Sequence, residues 1–217
     1  MYKHNKYLLL YSLLLISSLD GNQGCDISSL LEENQKSIDI KEKNIELKIT
    51  ETLSSITIVH ENQPLRIKRT PRNQEHTCPP FCIQPMNIKG VRTVGELEVL
   101  DFIKDLKGKE AQLLIDVRKS KQYNQYTIPG AINIPFSMLK RQSKYQKQVL
   151  ELLGGKKQGE KWIFKYVPKL LIFGESNEDN TARKSIEALL ELSYPNQKIN
   201  YYRAGIESWS RLGLTLY

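Results

Sequence analysis

No cysteine follows Cys82 in this chain of 217 residues, and three occur in all: Cys25, Cys78 and Cys82. Thiol chemistry and thiolate metal ligation are thereby excluded from the whole C-terminal stretch. Histidine is equally scarce, at His4, His60 and His76, and no second C-x-x-C accompanies CPPFC. A Cys/His zinc site has too few ligands to build on. No internal repeat is visible, and 40% hydrophobic residues suit a globular core and not a multi-span membrane protein. Acidic residues are the minority sign, 24 against 32 Lys and Arg, for a net charge of +8. The basic residues are mostly mixed with Glu, and residues 66–72 form the one local cluster (Arg66, Lys68, Arg69 and Arg72). That pattern argues against nucleic-acid binding and reads first as the solvated face of a strand. Peripheral membrane or polyanion binding through the same cluster is the weaker reading.

The most specific N-terminal feature is Lys3, His4 and Lys6 ahead of residues 7–19, YLLLYSLLLISSL. A short basic region before an apolar one too short to span a bilayer is the layout of a secretory signal peptide, expected here over residues 1–24. An uncleaved anchor is one alternative. A lipid on Cys25 is another, weakened by the polar Asn22-Gln23-Gly24 before it. Export places the chain in a periplasmic or extracellular, oxidising compartment, where Cys78 and Cys82 read as a structural disulfide.

Residues 25–43 read as a polar linker. Over residues 44–90, alternation at Ile45, Leu47 and Ile49, then Ile56, Ile58, Leu65 and Ile67, predicts two or three short strands with a turn at 61–64. Such a pair is marginal alone, so it is expected to lean on the main domain. A proline-rich connector, including CPPFCIQPM, follows.

Residues 91–217 form the expected main domain. Thr93-Val94-Gly95-Glu96 matches a capping box, and Leu97, Leu100, Ile103 and Leu106 mark one apolar helical face ending at Gly108. Apolar runs at 113–115, 170–173 and 199–202 read as buried strands, with helices over 144–153, 182–192 and 206–212. Strands alternating with helices predict an α/β fold, with a central mainly parallel sheet flanked by helices and a small N-terminal β extension.

Within that domain, residues 113–135 read LLIDVRKSKQYNQYTIPGAINIP: a strand, D-x-R, a spacer, then I-P-G-A-x-x-I-P. Near the C-terminus stand Tyr202-Arg203-Ala204-Gly205-Ile206-Glu207-Ser208-Trp209 and Leu212-Gly213-Leu214. Together these resemble the rhodanese-like domain, the fold of sulfurtransferases and of some protein phosphatases. The CPPFCIQPM connector resembles that of a subset of exported bacterial members. The resemblance implies that Leu170-Leu171-Ile172-Phe173 delivers the active-site cysteine, around which the next loop wraps its backbone N–H groups. It also implies that Asp116 and Arg118 lie beside the pocket, and it implies no cofactor or metal.

Here the strand runs into Gly174, and the loop is Gly174-Glu175-Ser176-Asn177-Glu178-Asp179-Asn180-Thr181. Glycine has no attacking group, so sulfur transfer at this position is excluded. Glu175, Glu178 and Asp179 oppose anion binding. Ser176 has no base beside it in sequence, and Arg183 is expected to pair with a loop carboxylate. One of Asp179, Asn180 or Thr181 is expected to cap the following helix. The leading expectation is a degenerate site (Gly174, Glu175, Ser176, Arg183) in a binding or structural module, whose partner is an unidentified protein or a small sulfur compound. The alternative is a sulfur carrier or redox protein using Cys78 or Cys82.

Overall fold

A computed structural model describes residues 47–69, 77–108 and 110–217. The expected signal peptide, linker and Cys25 lie outside the described residues, as do His4, Arg72 and His76. Strands β1 (Ser55–His60) and β2 (Gln63–Lys68) form an antiparallel hairpin. Strands β3 (Arg92–Val94), β4 (Gln112–Asp116), β5 (Ala131–Asn133), β8 (Lys169–Phe173) and β9 (Ile199–Tyr202) form one sheet in the order β3-β9-β8-β4-β5, with every pairing parallel. A second hairpin, β6 (Lys156–Gln158) and β7 (Lys161–Ile163), is inserted before β8. The helices are α1 (Glu96–Lys104), α2 (Ser120–Tyr123), α3 (Phe136–Leu139), α4 (Gln146–Leu152), α5 (Thr181–Glu191) and α6 (Gly205–Arg211).

Alternation along the central strands divides the core. Leu170 and Ile172 of β8 face α4 and α5, meeting Leu150, Ile186 and Leu189. Leu171 and Phe173 face α1 and α6, meeting Val99, Phe102, Ile206 and Trp209. Burial on both faces explains why these strands read as unbroken apolar runs. The expected α/β architecture is therefore what the chain adopts.

Local details differ from expectation. Thr93 lies in β3, and its hydroxyl donates to the Met86 carbonyl. The helix starts two residues later than a Thr93 cap requires, with Glu98 accepting the Gly95 N–H at 2.9 Å. Its buried residues are Val99 and Phe102, while Leu97 is exposed. No strand covers 47–49; Leu47 is buried in an irregular segment. The turn of the first hairpin is made by Glu61 and Asn62, both with positive φ, the geometry that suits right-twisted strands. Its apolar face (Ile56, Ile58, Leu65 and Ile67) stays exposed, so the pair does not lean on the main domain through that face. At its end, Arg69 Nη1 donates to the carbonyls of Lys48 (3.1 Å) and Phe81 (2.8 Å).

Candidate functional site

The C-terminal ends of β4 and β8 lie side by side, Asp116 opposite Phe173, which is where parallel sheets present their ligand sites. From β4 come Asp116 and Arg118, both buried. Arg118 grips Asp116 through Nε (3.1 Å to each carboxylate oxygen) and Nη2 (2.8 Å). Its remaining donors reach the Tyr126 carbonyl (2.6 Å) and Glu175 Oε2 (3.2 Å). Asp116 accepts in addition from the Arg118 N–H and the Thr127 hydroxyl, each at 2.9 Å. Burial disfavours the charged guanidinium, but hydrogen bonding and charge from Asp116, then from Glu175, outweigh it and hold Arg118 above its ordinary pKa. This pair is a closed network that ties β4 to the loop after β8.

That loop is filled by its own carboxylate. Asp179 accepts the Glu175 N–H at 3.2 Å, the Thr181 N–H at 3.0 Å and the Thr181 hydroxyl. A Cβ at position 174 would lie 2.8 Å from Asp179 Oδ2 and 3.0 Å from Thr181 Oγ1. The Glu175 and Thr181 N–H groups are thus turned onto Asp179, which lies in the space a side chain at 174 would need. The N-cap of α5 is Asn180, whose side chain makes no capping bond; Asp179, one residue earlier, takes the N–H of Thr181 at the first helical position. Behind the loop, Gly205 has a φ of +69°, and a Cβ there would meet the carbonyls of Gly174 and Glu175 at 2.6–2.7 Å. Ile206 and Glu207 then donate their N–H groups to those same carbonyls. The glycine at 205 is required for α6 to clamp the loop's entry.

The connector seals the other side, bonded as a disulfide between Cys78 and Cys82 with a Cα–Cα distance of 4.7 Å. Its organising residue is Gln84, which sequence reading missed. Buried Gln84 donates its N–H to the Asn177 carbonyl (2.9 Å) and Nε2 to the Cys82 carbonyl (2.7 Å). It accepts Arg183 Nε on its side chain (2.8 Å) and Arg203 Nε on its carbonyl (2.7 Å). Asn180 reaches the Pro80 carbonyl at 3.4 Å. The only sequence signal was a polar residue inside an otherwise apolar connector.

The arginines around the loop are all engaged. Arg183 pairs with Glu187 of its own helix (2.7 Å), not with a loop carboxylate, because the i, i+4 position is nearer. Glu178 is taken by Arg69 (2.8 Å) and Glu175 by Arg118. Ser176 Oγ accepts the Glu178 N–H at 3.2 Å, and the one described histidine, His60, lies in β1. Among the described residues no group of three or more His, Cys, Asp or Glu side chains is placed to hold a metal.

Beneath this face, the hydroxyl of Tyr201 is the one buried side-chain polar atom without a partner among the described residues. Burial pushes its pKa up to about 12. Tyr201→Phe removes an unmatched hydroxyl and is expected to raise stability by about 0.5–1 kcal/mol in urea denaturation. The neutral phenol's contribution is complete below pH 10 and is lost as pH rises toward about 12. The Phe variant should therefore resist unfolding over that window better than wild type. A loss of more than about 1 kcal/mol at neutral pH would mean the hydroxyl is satisfied.

A family model for the rhodanese-like domain matches residues 99–212, just over half of the chain. The chain belongs to the rhodanese-like domain family. No curated protein matches it. Among solved structures it is similar to a protein of Bacillus halodurans, with 20% identity, 58% of this chain and 76% of that chain covered, and a TM-score of 0.44. It is also similar to a rhodanese-related protein of Thermoplasma volcanium, with 20% identity, 58% and 97% covered, and a TM-score of 0.35. A third is a thiosulfate sulfurtransferase of Pseudomonas aeruginosa, with 20% identity, 58% of this chain and 20% of that one covered, and a TM-score of 0.39. Likeness at these identities concerns fold and not activity.

Proposed function

We propose that this chain is an exported rhodanese-like protein without thiosulfate sulfurtransferase activity, serving as a binding or structural module. The observation that carries this reading is the carboxylate of Asp179 held where a nucleophile at position 174 would project. Catalysis in this geometry needs a thiolate, and glycine at 174 supplies no side chain to carry one. Thiosulfate:cyanide assays of the purified chain should give no turnover above the uncatalysed rate. Turnover that disappears on altering residues 174–183 would overturn the proposal.

A second reading makes Cys78 or Cys82 a sulfur carrier or redox pair above the degenerate loop. It is favoured by the contact of the connector with that loop, through Gln84 to Asn177 and Asn180 to Pro80. Against it stands the burial of both cysteines. Export rests on the basic and apolar pattern of residues 1–24 and on a disulfide of the kind an oxidising compartment sustains.

A further inference from the structure

Charge in this chain is far from evenly spread. Residues 140–169 hold nine Lys and Arg against two Glu, while the rest of the sequence holds 23 against 22. Nearly all of the excess positive charge thus falls in thirty residues running from the end of α3, through α4 and the β6–β7 hairpin, to the start of β8. Among the described residues, the one carboxylate within 4 Å of any of these cations is Glu151, 3.8 Å from Lys147. The site's four arginines, by contrast, are each hydrogen-bonded to loop, connector or helix.

The register of the hairpin gives this charge a face. Lys156 pairs with Ile163 and Gln158 with Lys161, so these four side chains project to one side, and all are exposed. Lys157 and Trp162 project to the other, where Trp162 packs on the core. Next along the chain, Tyr166 is 84% exposed, with Lys165 5.5 Å from its ring centroid. Gly154, at the end of α4, lies against the Tyr166 carbonyl, so exposed Leu152 (63%) sits beside the same segment. Lys156 and Lys161 thus share a hairpin face with exposed Ile163, and Lys165 lies at the Tyr166 ring.

We propose that this surface, made by the β6–β7 hairpin, the end of α4 and the Lys165–Tyr166 segment, docks on an anionic phospholipid bilayer. The composition selects the partner. The cations placed on this surface, Lys156, Lys161 and Lys165, are all lysine, a compact point charge suited to a diffuse field of lipid phosphates; ordered nucleic-acid phosphates favour the bidentate fork of arginine. Exposed Leu152 and Ile163 gain only where an apolar phase lies within reach, and tyrosine settles at the headgroup level. The contact is independent of the site at Gly174 and of its activity.

The test is co-sedimentation of the full chain with phosphatidylcholine vesicles and with vesicles also holding about 30% phosphatidylglycerol, in ~0.1 M salt. The apolar residues 7–19 would act on both compositions, so the ratio between them reports the charged surface. We expect partitioning onto the anionic vesicles to be at least about tenfold stronger, and to fall with added salt. Lys156→Glu, Lys161→Glu and Lys165→Glu together should abolish the preference. An equal change of net charge elsewhere, Lys104→Glu, Lys121→Glu and Lys184→Glu, should keep it within about twofold. All six positions are exposed, and circular dichroism verifies the fold of each variant. No preference in the wild type, or equal loss in both triples, would overturn the proposal. Tighter binding of a short DNA duplex, lost in the first triple, would reassign the surface to nucleic acid.

Discussion

Gly174→Cys is expected to lower stability by about 1–3 kcal/mol and to leave the chain without sulfurtransferase turnover, although it supplies a thiol at the end of β8. The backbone at 174 does not have the positive φ that would demand glycine. What refuses a side chain is Asp179, whose Oδ2 would lie 2.8 Å from the new Cβ and which is anchored by two N–H groups and a hydroxyl. Swinging Asp179 away costs those hydrogen bonds, including the one to the first N–H of α5. Asp179→Ala alone should therefore destabilise by about 1 kcal/mol, yet cost less, or nothing, in the Gly174→Cys background. Urea denaturation of the four proteins measures that coupling. Additive losses would mean that Asp179 does not occupy the space a nucleophile needs.

Asp116→Ala is expected to have the larger effect, about 3–5 kcal/mol, against the roughly 5–15 kcal/mol that stabilises an ordinary domain. The substitution strands the buried Arg118 guanidinium, which would keep Glu175, the Tyr126 carbonyl and the Tyr126 ring, whose centroid lies 5.3 Å away. It also leaves the Thr127 hydroxyl without its acceptor. Asp116→Asn retains the shape and one acceptor oxygen and should cost visibly less. Chemical denaturation checks both, and a loss below about 1 kcal/mol for the alanine variant would show that the network is dispensable. Through these bonds Arg118 ties the end of β4 to the loop after β8 and to the Tyr126 carbonyl.

The scaffold was legible because its signals are local and strong. Leu113, Leu114 and Ile115, and Leu170 to Phe173, are unbroken apolar runs because both faces of the sheet are covered, and that alone fixes them as central strands. The glycine at 174 and the lack of any cysteine after Cys82 were equally plain, being matters of residue identity. What fills the gap was not legible. Asp179 read as one of several helix-capping candidates, and nothing in its spacing says that the same carboxylate also takes the Glu175 N–H. Gln84 joins groups 93 to 119 positions away in sequence, so its role exists only in three dimensions. The capping box failed at Thr93 because β3 pairs with β9 there, and sheet pairing claimed the residue first. The β6–β7 hairpin escaped notice because Lys, Gln and Glu hide the alternation a strand usually shows. For the same reason the basic excess read as scattered, with its focus placed at residues 66–72 instead of 140–169.

The central claim is that this rhodanese-like scaffold accepts no sulfane sulfur, at the loop after β8 or on the connector cysteines. Intact-mass measurement after exposure to thiosulfate, with Cys78–Cys82 oxidised and again after reduction by a dithiol, tests it most directly. The account predicts an unchanged mass in both states. A gain of ~32 Da, one sulfur atom, that is lost in Cys78→Ser or Cys82→Ser would contradict it and make the connector the chemical centre of the protein.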